Sequence, residues 1–189
     1  ARALAAAGST YADTEAANAA LTSAVTPINS DLTLVLGGTG NPTPNNAYVT
    51  AANDLFIRAT ALPRALFTPE EGYPITGVRS LTFDRSIGVG LTVMDDAIRN
   101  MPSGSTLTIF GYSQSAIISS LEMQQLANNP DAPTADQLSF VLLGDPMNPN
   151  GGLLERFAGL DLPSVGLPFY GATPDDTIYH TDIYTLEYD

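Results

Sequence analysis

A chain of 189 residues with 44% hydrophobic positions can bury one real core, because a domain near this size hides roughly two thirds of its unfolded surface. Its cations are seven arginines (Arg2, Arg58, Arg64, Arg79, Arg85, Arg99, Arg156) against 20 Asp and Glu. The formal charge of -13 therefore excludes nucleic acid, which needs clustered cations, and opposes docking on anionic headgroups while leaving uncharged or apolar substrates open. The absence of cysteine removes disulfides, thiolate metal sites and cysteine nucleophiles together.

Residues 1–25 are Ala-rich and helical in flavour, and Tyr11 and Glu15 are spaced to share a helix face. Residues 26–30, with Pro27, Asn29 and Ser30, break the helix and read as a linker. No basic-then-apolar leader and no apolar stretch of about 18 residues occurs, so an exported form would use an address other than a conventional cleavable signal. From Asp31 strands and helices alternate. Leu32–Leu36 predicts a buried strand delivering the loop Gly37-Gly38-Thr39-Gly40-Asn41-Pro42. Tyr48, Ala52, Leu55 and Phe56 recur at helical spacing, as do Ile87, Leu91, Met94 and Ile98. Ser105–Phe110 predicts a strand and Ala116–Ala127 a helix, closed by Asn128-Asn129-Pro130. Leu138–Leu143 predicts a third strand ending at Gly144-Asp145-Pro146, and Asp182–Tyr188 a fourth. This order predicts an α/β domain over 31–189, with right-handed crossovers and a mainly parallel sheet covered by helices on both faces. Residues 146–176 form a long Pro- and Gly-rich loop carrying Leu160, Leu162, Val165, Leu167, Phe169 and Tyr170. A loop so apolar either packs down or covers a lipid-like ligand.

The sharpest chemical feature is Gly111-Tyr112-Ser113-Gln114-Ser115, directly after one predicted strand and directly before a predicted helix. In a nucleophile elbow the chain reverses sharply there and lifts the serine hydroxyl above the sheet, so the residues two before and two after must be small. Gly111 and Ser115 meet that requirement. At a helix start, unpaired N–H groups and the macrodipole favour developing negative charge, making the Gln114 amide one candidate oxyanion donor. The second should come from the glycine loop, at Gly38 or Thr39. Reading that loop as a phosphate cradle fails because the chain has no lysine to complete a P-loop.

A serine nucleophile needs a base and an acid, in the chain order Ser, acid, His for this fold class. Asp145 and Asp189 both end predicted strands on the edge that carries Ser113. Asp189 holds the commoner position, whereas Asp145 lies in a turn where aspartate often caps backbone amides. His180 is the one histidine. With Asp189 as acid the base lies beyond residue 189; with Asp145 as acid, His180 is the base. Neither arrangement calls for a cofactor or a metal.

With the Gly37–Gly40 loop, Gly-Tyr-Ser-Gln-Ser at 111–115 and Leu-Gly-Asp-Pro-Met-Asn-Pro-Asn-Gly-Gly at 143–152, the chain from about Asp31 onward resembles the PE-PPE domain family of mycobacterial serine hydrolases and, more distantly, the cutinases. Ala3–Leu21 resembles the end of a PE domain, with Tyr11 and Glu15 matching its export signal. The resemblance implies a cutinase-like α/β-hydrolase fold, a Ser-Asp-His triad, hydrolysis of fatty-acyl esters, and type VII export to the cell envelope. It assigns Ser113 as nucleophile, Asp189 as acid and a histidine further downstream. It also implies that the N-terminal segment contacts a PPE-type partner or a secretion chaperone. A lipid- or partner-binding module without catalysis, or an acyltransferase, are the alternative outcomes of the same fold.

Overall fold

The computed structural model describes residues 30–185. Five strands form one sheet: β1 (Leu32–Val35), β2 (Arg64–Ala65), β3 (Leu107–Tyr112), β4 (Leu138–Leu143) and, after two short strands outside it, β7 (His180–Tyr184). They lie in the order β2-β1-β3-β4-β7, every neighbouring pair parallel. The central strand β3 is buried over Leu107–Gly111, which is why it reads as a continuous apolar run and not as an alternating one.

Helices cover both faces. On one side α2 (Phe83–Arg99) and α3 (Gln114–Leu126) pack Ile87, Met94, Ile98, Ile117 and Met123 onto Leu107, Ile109, Phe140 and Leu142. On the other, α1 (Asn46–Ala52) sets Val49 and Ala52 against Val35, Phe110 and Val141. Asn45 caps α1 by accepting the Tyr48 N–H at 3.0 Å, a role its short polar side chain suits. The predicted Tyr48–Phe56 helix is realised as α1 followed by a π-helical turn at Asn53–Ile57, stopped by Arg58 in the left-handed region at φ 53°.

The predicted Ser105–Phe110 strand runs instead over Leu107–Tyr112. Thr106 is diverted into a clasp with Asp31, whose N–H donates to Thr106 Oγ1 at 2.9 Å and whose carboxylate accepts the Thr106 N–H at 3.0 Å. The last strand starts at His180, opposite Ser139, two residues before the expected position, and residues 186–189 of that expectation lie outside the described chain. Residues 146–176 are not a bare loop. They contain α4 (Leu153–Arg156) and a hairpin of β5 (Asp161–Leu162) and β6 (Leu167–Pro168). Met147, Leu154 and Phe169 are buried, while Phe157, Leu160 and Leu162 are exposed, so the segment packs down along one side only. Backbone bonds from Phe83 to Val165 and from Asp84 to Gly166 tie the hairpin to the start of α2.

Candidate active site

Ser113 stands between the last residue of β3 and the first of α3, at φ 55° and ψ -109°. A β-carbon makes that conformation costly, so it persists only where the surroundings over-determine it. Its N–H donates to the Leu143 carbonyl at 3.1 Å, and its own carbonyl accepts from Ala116 and Ile117. The Ser113 side chain does not cap the helix it starts, and its hydroxyl bonds no described residue. Gly111 is required here because a β-carbon on it would lie 2.8 Å from the Ser115 carbonyl oxygen. Ser115 does more than stay small. Its Oγ accepts the Tyr112 N–H at 2.8 Å and reaches the Tyr112 carbonyl at 3.2 Å, stapling the elbow across its mouth.

The glycine loop arrives against this elbow. A β-carbon on Gly38 would lie 2.8 Å from the Tyr112 ring and 3.1 Å from the Tyr112 carbonyl oxygen, so only glycine permits the approach. The loop closes on itself through Asn41 N–H to the Gly38 carbonyl at 2.8 Å, and the amides of Gly38 and Thr39 donate to no backbone carbonyl of the described residues. The Gln114 amide, first in α3, has no partner within the helix. Its carboxamide is wholly buried and turned away, donating from Nε2 to the Glu71 carbonyl at 2.8 Å and accepting from Ser86 Oγ at 3.2 Å. The amides of Gln114, Gly38 and Thr39 thus lie at a helix start and a glycine turn with no acceptor among the described residues, the kind of backbone arrangement that can take up an anion.

Asp145 sits at the same edge, but both its oxygens are engaged. Oδ1 accepts the Met147 N–H at 2.9 Å and Oδ2 accepts the Thr173 hydroxyl at 2.6 Å, with Ser120 Oγ 2.7 Å from that hydroxyl. Burial raises its pKa, opposed by these same bonds. It caps a turn and ties down the 173 segment. His180 is not brought to the site. It pairs with Ser139 at the amino end of β7, whereas Ser113 follows Tyr112, which pairs with Leu143. Through Ser139 it is level with Thr108, five residues of strand before Ser113, which places it roughly 16 Å away along the sheet, on the far edge from both Ser113 and Asp145. The pairing of Asp145 with His180 is thereby corrected: parallel strands put their beginnings at one edge and their ends at the other. Asp189, Tyr11 and Glu15 lie outside the described residues.

Ser113 opens into a cleft of about 540 Å³ lined by Tyr112, Asn148, Asn150, Leu153 and Arg156. Among the described residues no three His, Asp or Glu side chains converge as metal ligands would, and no helix is long and apolar enough to cross a membrane.

A parallel sheet wrapped by helices on both faces, with a strained serine at the turn from its central strand into a helix, is the architecture of an α/β hydrolase. Two solved structures match it at a TM-score of 0.51: lysin B from Mycobacteriophage D29, at 17% identity over 82% of this chain and 63% of that one, and an acetylxylan esterase, at 15% identity over 84% and 83%. Residues 59–189 match the PE-PPE domain, and the chain belongs to that family. Relatives in Mycobacterium tuberculosis include the uncharacterized PPE family protein PPE28, 48% identical over 82% of this chain. Esterase PE16 is 46% identical over the whole of this chain, and SL1278 acyltransferase Chp1 is 33% identical over 49% of this chain. The chain spans 24% of the length of PPE28 and 38% of that of PE16.

Proposed function

We propose that this domain is a serine esterase that hydrolyses uncharged acyl esters through an acyl-serine at Ser113. The observation that carries the reading is the strained backbone of Ser113, whose hydroxyl bonds no described residue and lies beside the Gln114, Gly38 and Thr39 amides, which have no acceptor among the described residues. In the reaction, Ser113 Oγ adds to the ester carbonyl as its proton passes to a histidine base. The oxyanion is held by the amides of Gln114 and of Gly38 or Thr39. The ester C–O bond then breaks, with the alcohol taking the proton, and water repeats the sequence to release the acid. Asp189 is the acid in this reading and the histidine follows it in the chain. The same reading carries export to the cell envelope by a type VII route and contact of residues 1–25 with a PPE-type protein.

The name of the relative Esterase PE16 supports the hydrolase reading. That of Chp1 supports a variant in which an alcohol, not water, resolves the acyl-enzyme, and the polar cleft of Asn148, Asn150 and Arg156 gives such an acceptor somewhere to bind.

Ser113→Ala is expected to lower ester hydrolysis by several orders of magnitude and to abolish labelling by a fluorophosphonate probe, with the circular dichroism spectrum unchanged. Labelling that survives in the folded mutant removes the assignment. The apolar side of the substrate is tested separately. Leu153 in the cleft and the exposed Phe157, Leu160 and Leu162 on the same segment offer surface to an acyl chain. Each methylene buried there adds about 0.8 kcal/mol, or up to about fourfold in kcat/KM, from acetyl toward medium-chain p-nitrophenyl esters. A flat profile, or a preference for a phosphoester, would leave the segment as packing.

A further inference from the structure

The segment Thr68–Gly72 belongs to no helix or strand, yet it is bonded to both halves of the oxyanion corner. On one side the Glu70 carbonyl accepts the Gly40 N–H at 2.7 Å, and the Thr68 N–H donates to the Pro42 carbonyl at 3.2 Å, so the loop carrying Gly38 and Thr39 hangs from it. On the other side the Gln114 carboxamide donates to the Glu71 carbonyl, and the Ser86 hydroxyl that bonds Gln114 also accepts the Glu71 N–H at 2.9 Å. Two successive carbonyls thus serve different halves of the site.

Glu70 lies at the centre of this strut in the left-handed region, at φ 49°. Glycine adopts that conformation freely and glutamate does not. The glutamate side chain is nonetheless sealed inside the protein. Oε1 accepts the Thr68 hydroxyl at 2.6 Å and Oε2 bonds no described residue. A strained backbone and a half-satisfied buried carboxyl are two costs at one residue beside a reactive corner, and such costs persist where a fixed geometry needs them. Burial raises the carboxyl pKa to about 7, so the group carries little obligatory charge into the interior.

Resting on the reading of Ser113 as nucleophile, we propose that Glu70 is a positioning residue for ester hydrolysis. Its side chain, anchored by Thr68, holds the 68–72 strut in the one conformation that sets the Gly38 and Thr39 amides and the Gln114 amide around a common oxyanion. It acts through the backbone and never meets the substrate.

The test compares Glu70→Ala, Glu70→Gln and Thr68→Val in the full-length protein. The readouts are kcat and KM for p-nitrophenyl butyrate and the affinity for an alkylboronic acid, which adds to the serine as a tetrahedral anion. Glu70→Ala and Thr68→Val should each lower kcat by about 10- to 100-fold with KM nearly unchanged, and boronate affinity should fall in step, because only a transition-state interaction is displaced. Glu70→Gln, whose carboxamide oxygen still accepts from Thr68, should keep most of the activity. Wild-type kcat in Thr68→Val overturns the proposal, as does a loss shared equally by Glu70→Gln, or one in which KM rises as kcat falls. Thr68→Val preserves shape and decides the matter if Glu70→Ala does not fold. Ser113→Ala measured alongside separates the two ideas: turnover surviving in that variant removes the hydrolase reading itself.

Discussion

Glu122 lies wholly buried on α3, with neither carboxyl oxygen bonded to any described residue. Burial, reinforced by the nearby charge of Asp95 and offset in part by Arg99, raises its pKa to about 7 from an ordinary 4.5; Tyr179 is the other titratable group coupled to it. The folded protein therefore keeps a proton that the unfolded chain gives up between those values. This favours the fold fully below about pH 4.5 and fades as pH rises through 7. Glu70 shifts in the same direction. Melting temperature should accordingly decline from pH 5 to pH 8 in the wild type, and Glu122→Gln, which needs no ionisation, should flatten the decline. At pH 8 the variant should melt higher, by roughly 2–4 °C per kcal/mol recovered in a domain of this size. Equal slopes in the two proteins would mean that Glu122 finds its counter-charge in the folded state. The residues of the elbow were readable from their immediate neighbours, because Gly-Xaa-Ser between a strand and a helix is a local signature. Glu70 and Glu122 were not: the first sits in an aperiodic Thr-Pro-Glu-Glu stretch, and the burial of both comes from chain far away in sequence.

Helix α2 carries two glycines, Gly88 and Gly90, that look equivalent in sequence and differ entirely in packing. A β-carbon on Gly88 meets nothing within 4 Å, whereas one on Gly90 would lie 2.4 Å from Ile118 Cδ1, with Thr68 Cγ2 at 3.5 Å. Gly90 thus lies in the contact of α2 with Ile118 of α3, and Gly88 is a helix interior bearing an avoidable entropy cost. Gly88→Ala should stabilise by about 0.5–1 kcal/mol. Gly90→Val should destabilise by about 1–3 kcal/mol, since the added methyls must displace Ile118, which is fully buried. Chemical denaturation of the two variants checks both signs, and a tolerated Gly90→Val would show that the helix pair can separate. The long elements were legible because their apolar runs are sustained: β4 matches its expected span, Leu138–Leu143, and α3 starts two residues ahead of Ala116. The two-residue strands were not. β2 has both residues exposed at the sheet edge, and β5 and β6 pair only with each other, so none carries an alternation long enough to read.

At the scale of the molecule, the sheet order has a consequence in time. β1 is flanked by β2 and β3, and its full-length partner is β3, joined to it from Leu32–Leu107 through Val35–Phe110. The clasp that closes this pairing links Asp31 to Thr106, 75 residues further along the chain. At a synthesis rate of about 5–20 residues per second, β1 leaves the ribosome some 4–15 s before the strand that completes it. Through that interval Leu32, Leu34, Val35 and Leu36 form an apolar segment with an unpaired edge, the kind of surface that recruits other chains. Full-length pairing of β1 therefore waits for β3, the strand that leads into Ser113, so the first long strand pair and the turn at Ser113 emerge together, ahead of β4, whose Leu143 carbonyl accepts the Ser113 N–H.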